Sequence, residues 1–162
     1  MATHTLPPAT ERWLEHYPVG AVVACGSVTL SEDELLAFAE RYDPQPMHVD
    51  RAMAEAGPFG GLIASGWHTI GLMMPLFVEH YLPFNGMAAP GIEEVRWHRP
   101  VRPGDTLRPR VTVLESRVSQ SRPEFGVVRC LVEVFNQKDE LVLSLRPTNL
   151  IRRRPDPVVA QG

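Results

Sequence analysis

The chain has 162 residues, enough for one domain that buries a substantial core. Its composition is that of a globular protein, 44% hydrophobic and 22% charged, and a formal net charge of −3 argues against a surface built to grip nucleic-acid phosphates. Cys25 and Cys130 are too few and too far apart for a disulfide framework or a zinc knuckle.

Residues 1–18 (MATHTLPPATERWLEHYP) read as an N-terminal extension. They hold no basic segment leading into an apolar core, so no signal peptide is expected and a reduced cytoplasmic setting is the default. Residues 20–29 (GAVVACGSVT) are apolar and β-branched and predict a strand. Ser31 and Glu34 then form a capping box for a helix whose apolar side carries Leu35, Leu36, Phe38 and Ala39. Pro44 disfavours helical backbone at Asp43, so that helix should stop near Tyr42. A short helix is expected around 50–56, N-capped by Asp50, ahead of a Gly-rich turn at 57–61.

Residues 56–78 contain no Asp, Glu, Lys or Arg, a length that hints at a membrane span. Five glycines, Pro58 and Pro75 interrupt the run, and no basic flank marks a cytoplasmic side. The better reading is a helix from about 65 to 81 buried in a soluble domain. Trp67, Ile70, Leu72, Met73, Met74, Leu76 and Phe77 make it apolar on most sides, so it must be covered nearly all round. Pro75 lacks the N–H that would bond back one turn and predicts a kink.

From Gly91 the apolar period switches to two. Ile92, Val95 and Trp97 form one run, and Leu107, Val111 and Val113 another after the turn at Pro103-Gly104-Asp105. Residues 127–135 and 141–151 read as a long hairpin, followed by a solvated tail from 153. One strand, then helices, then four strands predicts an α+β domain with an antiparallel sheet wrapped around a long central apolar helix, a single hot-dog fold.

Asp43 and His48 stand close in sequence with Pro44 and Pro46 between them, on backbone that loses little freedom on ordering. A carboxylate and an imidazole sharing one water can remove its proton and return a proton elsewhere. Ala64-Ser65-Gly66 opens the apolar helix, where free N–H groups favour developing negative charge and a residue without a side chain admits a substrate carbonyl. Trp67, His68 and Trp97 are candidates to line a pocket beside this point.

The run YDPQPMHVDRAMAEAGPFGGLIASGWHT resembles the hydratase motif of MaoC-like dehydratases and (R)-specific enoyl-CoA hydratases, and VRWHRPVRPGDTL (95–107) resembles that family's second signature. With the flanking strands the resemblance covers residues 19–152. It implies that Asp43 and His48 are the catalytic pair and that the Gly66 N–H polarises a thioester carbonyl, with Ser65, Trp67, His68 and Trp97 around the substrate. It also implies reversible hydration of a 2-enoyl-CoA or related acyl thioester, a lyase of fatty-acid metabolism in which coenzyme A enters with the substrate. No metal or redox cofactor is expected. Two-fold homodimers that join their sheets edge to edge are implied as well. The chain departs from the family pattern at Gln45, where Asn is usual, and at Ser65, where His is usual.

Blander readings stand beside these. Asp43 and His48 also suit a loop-stabilising pair, Gly66 a close helix packing, and Asp43, His48 and Asp50 a metal site that lacks a further ligand run. Arg96, His98, Arg99 and Arg102 are suited to coenzyme A phosphates or simply face outward. The rival activities are a hot-dog acyl-CoA thioesterase, which commonly carries a carboxylate on the central helix, and an acyl-thioester-binding module without turnover.

Overall fold

The computed structural model describes residues 3–84 and 86–155. After two short 3-10 turns come β1 (Val22–Ala24) and β2 (Val28–Thr29), then α1 (Glu32–Tyr42), α2 (Pro46–Val49), α3 (Arg51–Ala56) and α4 (Gly66–His80). β3 (Ala88–Trp97), β4 (Thr106–Val118), β5 (Phe125–Phe135) and β6 (Leu141–Arg152) complete the chain. The antiparallel sheet runs β1-β4-β5-β6-β3, with β2 also paired to β4. This is the hot-dog arrangement. Among the described residues no helix is long and apolar enough to cross a membrane.

The capping box at Ser31 and Glu34 forms, and α1 ends at Tyr42 as Pro44 requires. Asp50 caps α3 by accepting from the Met53 N–H at 3.0 Å. The strand expected over 20–29 is instead two pieces. The chain turns left-handed at Gly26, with φ +71°, where His80 and Leu76 of α4 press against it. A side chain there is disfavoured by its own backbone and by the helix above. α2 is a further correction: the proline-flanked loop contains a full turn of helix with Pro46 in its first turn.

β5 alternates buried and half-buried residues along its length, and Val128, Cys130, Val132 and Val134 share one core with Met73 and Phe77 of α4. The helix runs through Pro75 from Gly66 to His80. Within the chain it is not covered all round: Trp67, Met74 and Val78 are exposed along one stripe. β3 is the outermost strand beside β6 and is exposed over most of its length.

The residues ahead of β1 are laid onto the domain rather than trailing from it. Leu14 and Tyr17 are buried in the core. Arg12 is buried too and donates to the carbonyls of Pro7, Glu79 and Leu82 at 2.8, 3.0 and 2.9 Å, placing a cation on the C-terminal end of α4. Arg153 and Arg154 lie against Pro123, Glu15 and His16, and the rest of the expected tail, 156–162, lies outside the described residues.

Candidate active site

Asp43 is the C-cap of α1, and His48 sits in α2. The two prolines fold the intervening loop into that single turn, so the side chains meet with His48 Nε2 3.5 Å from Asp43 Oδ2. His48 is 3% exposed, and its Nδ1 lies 2.8 Å from the carbonyl oxygen of Ile63. A carbonyl only accepts, so Nδ1 carries the proton and donates it there. In the neutral ring the Nε2 lone pair therefore faces the space beside Asp43.

Both oxygens of Asp43 are held. Ser65 Oγ donates to Oδ2 at 2.6 Å, and Gln45 Nε2 donates to Oδ1 at 2.8 Å. The Ser65 bond, and after it the Gln45 bond, hold this carboxyl below its ordinary range; partial burial opposes them and nearby His48 adds to the lowering. Gln45, one of the two departures noted in the sequence, thus bonds directly to the carboxylate.

Ser65 is fully buried and is the N-cap of α4, where its hydroxyl accepts from the Trp67 N–H at 3.3 Å. Gly66 follows as the first helical residue, and its N–H has no acceptor among the described residues. Trp97 reaches across from β3 and donates from Nε1 to the Gly66 carbonyl at 3.0 Å. A Cβ on Gly66 would stand 2.5 Å from that indole nitrogen, so only glycine fits under the ring.

These groups border one cavity of about 390 Å³. Asp43, His48, Gly66, Trp67 and Trp97 line it, and the two indoles meet edge to face with centroids 5.9 Å apart. Ser65 acts from behind the wall, through Asp43 and the helix start. His68 is not brought to the cavity. It faces α1 and stacks on Phe38 at 4.4 Å, and burial pushes its imidazole below the ordinary range, opposed in part by Glu34. Met73 is core, and none of the described residues of 79–90 lines the cavity.

Sequence reasoning missed the Ser65–Asp43 and His48–Ile63 bonds, and it missed Met47, Phe59 and Thr69 in the wall. Their side chains carry no motif; only the capping position of Ser65 hinted at a polar role. His98 and Arg99 do line the cavity, where His98 pairs with Ser144 and Arg99 lies 3.6 Å from Glu140. Arg96 pairs with Glu94, and Arg102 donates to the Phe59 carbonyl.

The chemistry open to this arrangement is narrow. Cys25 and Cys130 are buried, and burial pushes both thiols up to about 12, so neither is a nucleophile. Among the described residues no three His, Cys, Asp or Glu side chains converge as a metal would need. The arrangement itself is a carboxylate and an imidazole lone pair facing one point, next to a helix-start N–H without an acceptor among the described residues and a largely apolar wall.

Comparison with known proteins agrees with this geometry. Residues 17–134 match the family model described as MaoC like domain. The chain superimposes on a MaoC-like dehydratase from Rhodospirillum rubrum with a TM-score of 0.84, at 36% identity over 89% of this chain and 99% of that one. It is 33% identical to the uncharacterised protein YdeM of Bacillus subtilis over 86% of this chain and 99% of YdeM. It is 37% identical over 84 residues to 3-hydroxyacyl-thioester dehydratase Z of Mycobacterium tuberculosis, covering 50% of this chain and 56% of that protein. Family match, superposition and full-length similarity coincide, and the chain belongs to the MaoC-like domain family.

Proposed function

We propose that this chain adds water reversibly across the double bond of a 2-enoyl thioester. The observation that carries the reading is the convergence of Asp43 Oδ2 and His48 Nε2, 3.5 Å apart, on a cavity that also receives the start of α4. A water between them donates one hydrogen to the carboxylate and one to the imidazole. Its O–H bond breaks as its oxygen bonds to C3, the double-bond electrons move onto the thioester oxygen, and the Gly66 N–H stabilises that oxygen. A proton then returns to C2. Losing one such backbone donor typically costs about 3–4 kcal/mol of transition-state stabilisation. The thioester makes C3 electrophilic, and the chain supplies position and charge, with no metal or redox group taking part.

The similarity to a 3-hydroxyacyl-thioester dehydratase supports the substrate class. The rival hydrolase reading is not favoured, since the carboxylate on α4 is Glu79, exposed near the helix's far end. The test is loss of enoyl-thioester absorbance over a series of acyl-CoA chain lengths, with the configuration of the product read out. Hydration at some chain length is expected. Binding without turnover would leave an acyl-thioester-binding module, and hydrolysis of a saturated acyl thioester would mark a thioesterase.

The same reading includes a two-fold homodimer acting in the cytoplasm. The dimer is supported by the exposed apolar stripe of α4 and by the exposed outer strand β3, which lie next to each other around Trp67 and Trp97. A second copy pairing along β3 would cover both.

A further inference from the structure

We propose that Ser65 is a positioning residue that holds Asp43 as the fixed anion of the site and leaves proton transfer to His48 Nε2. The inference rests on the hydratase reading and divides labour within it. Three observations carry it. Ser65 Oγ lies 2.6 Å from Asp43 Oδ2, the same oxygen that faces His48. Ser65 is fully buried, so water does not compete for its hydroxyl. That hydroxyl also accepts from the Trp67 N–H at 3.3 Å, which directs its own hydrogen away from the helix and toward the carboxylate.

Asp43 is therefore a carboxylate whose lone pairs are engaged on both oxygens, by Ser65 and by Gln45. Each donor favours the charged form, so taking water's proton would weaken two hydrogen bonds at once. His48 bears no such cost. Its Nδ1–H is anchored on the Ile63 carbonyl, and its Nε2 lone pair is free to accept. The imidazolium that forms lies beside the fixed Asp43 charge and can return its proton to C2. Atoms balance: one proton leaves water for Nε2, the hydroxyl bonds to C3, and the proton on Nε2 goes to C2. The titratable group facing Asp43 among the described residues is His48, and Ser65 and Gln45 are its neutral donors.

The two roles of Ser65 separate by substitution. Glycine serves nearly as well as serine at an N-cap, whereas alanine does not. If Ser65 acted through the helix start alone, Ser65→Gly would behave as wild type and Ser65→Ala would not. The proposal requires both variants to be impaired alike, because neither donates to Asp43. The measurements are kcat and KM on crotonyl-CoA against pH, and the carboxyl carbon resonance of Asp43 titrated by NMR in the full chain. Expected for both variants is an upward displacement of the Asp43 titration midpoint, with kcat lower by about tenfold or more and KM little changed, as for loss of a charge-assisted hydrogen bond. A natively folded Ser65→Gly with an unmoved Asp43 midpoint overturns the proposal. Failure of the hydratase reading shows separately, as wild-type protein that turns over no enoyl thioester while the NMR titration still reports the Ser65–Asp43 bond.

Discussion

Asp43 is held on both carboxylate oxygens: one takes the Gln45 amide, while the other takes the Ser65 hydroxyl and faces His48. Asp43→Asn removes the charge, and His48→Gln removes the basic nitrogen while keeping a polar side chain. Each should lower turnover by at least about a hundredfold with the fold intact, the first by removing the fixed charge beside the water and the second by removing the proton acceptor. Near-wild-type hydration by either purified variant would end the assignment. The lowered Asp43 pKa also has a consequence for stability. Its folded value lies below its ordinary 3.8, so its contribution is fully present above 3.8 and is lost as pH falls through the folded value. Denaturant titrations of wild type and Asp43→Asn should therefore differ by a constant amount near neutrality and converge in strong acid. A gap that widened on acidification would contradict the sign.

At the scale of elements, the site is a junction of three pieces: the end of α1, the turn of α2 and the start of α4. Trp97 of β3 pins the last of these from outside by its bond to the Gly66 carbonyl. Gly66→Ala puts a methyl where the indole lies, so the ring must swing away and that bond is lost. A cost of about 1 kcal/mol in stability is expected, together with loss of the near-ultraviolet circular dichroism of the Trp67–Trp97 pair and a fall in kcat. An unaltered spectrum would show that the ring does not hold the helix start. α1 is tied to α4 by the stack of His68 on Phe38, which accounts for a histidine that does not reach the cavity.

For the whole molecule, the unresolved demand is the exposed side of α4. A helix apolar on most sides needs cover, and the sheet supplies it on one side, leaving Trp67, Met74 and Val78 exposed at 65%, 38% and 52%. The cavity shares Trp67 and Trp97 with that surface, so a second copy seated there would also wall the substrate. Light scattering should report a dimer at micromolar concentration. Val78→Asp, remote from Asp43 and His48, should shift it toward monomer and weaken binding of an enoyl thioester. A fully active wild-type monomer would refute the pairing.

Short-range features were legible in the sequence because their physics is short-range. The Ser31–Glu34 box, the stop at Pro44, the Asp50 cap and the alternation of β5 depend on near neighbours and formed where the chain spelled them. β3, read as alternating at Ile92, Val95 and Trp97, is instead exposed on both faces over most of its length and broken by register shifts. The proximity of Asp43 and His48 was legible for the same reason, since two prolines leave the loop few conformations. Other facts waited on tertiary structure. Ser65 reaches Asp43 from 22 residues away, and Trp97 reaches Gly66 from 31. The break of the first strand at Gly26 depends on where α4 ends above it. His68 turned toward α1 because burying Met73 and Phe77 against the sheet fixes the rotation of α4, and that rotation assigns every other side chain on the helix its direction. The sequence by itself determined most of the elements, their caps and the closeness of Asp43 to His48. The rotation of one helix against the sheet, set by the sum of apolar burial, decided which residues surround that pair.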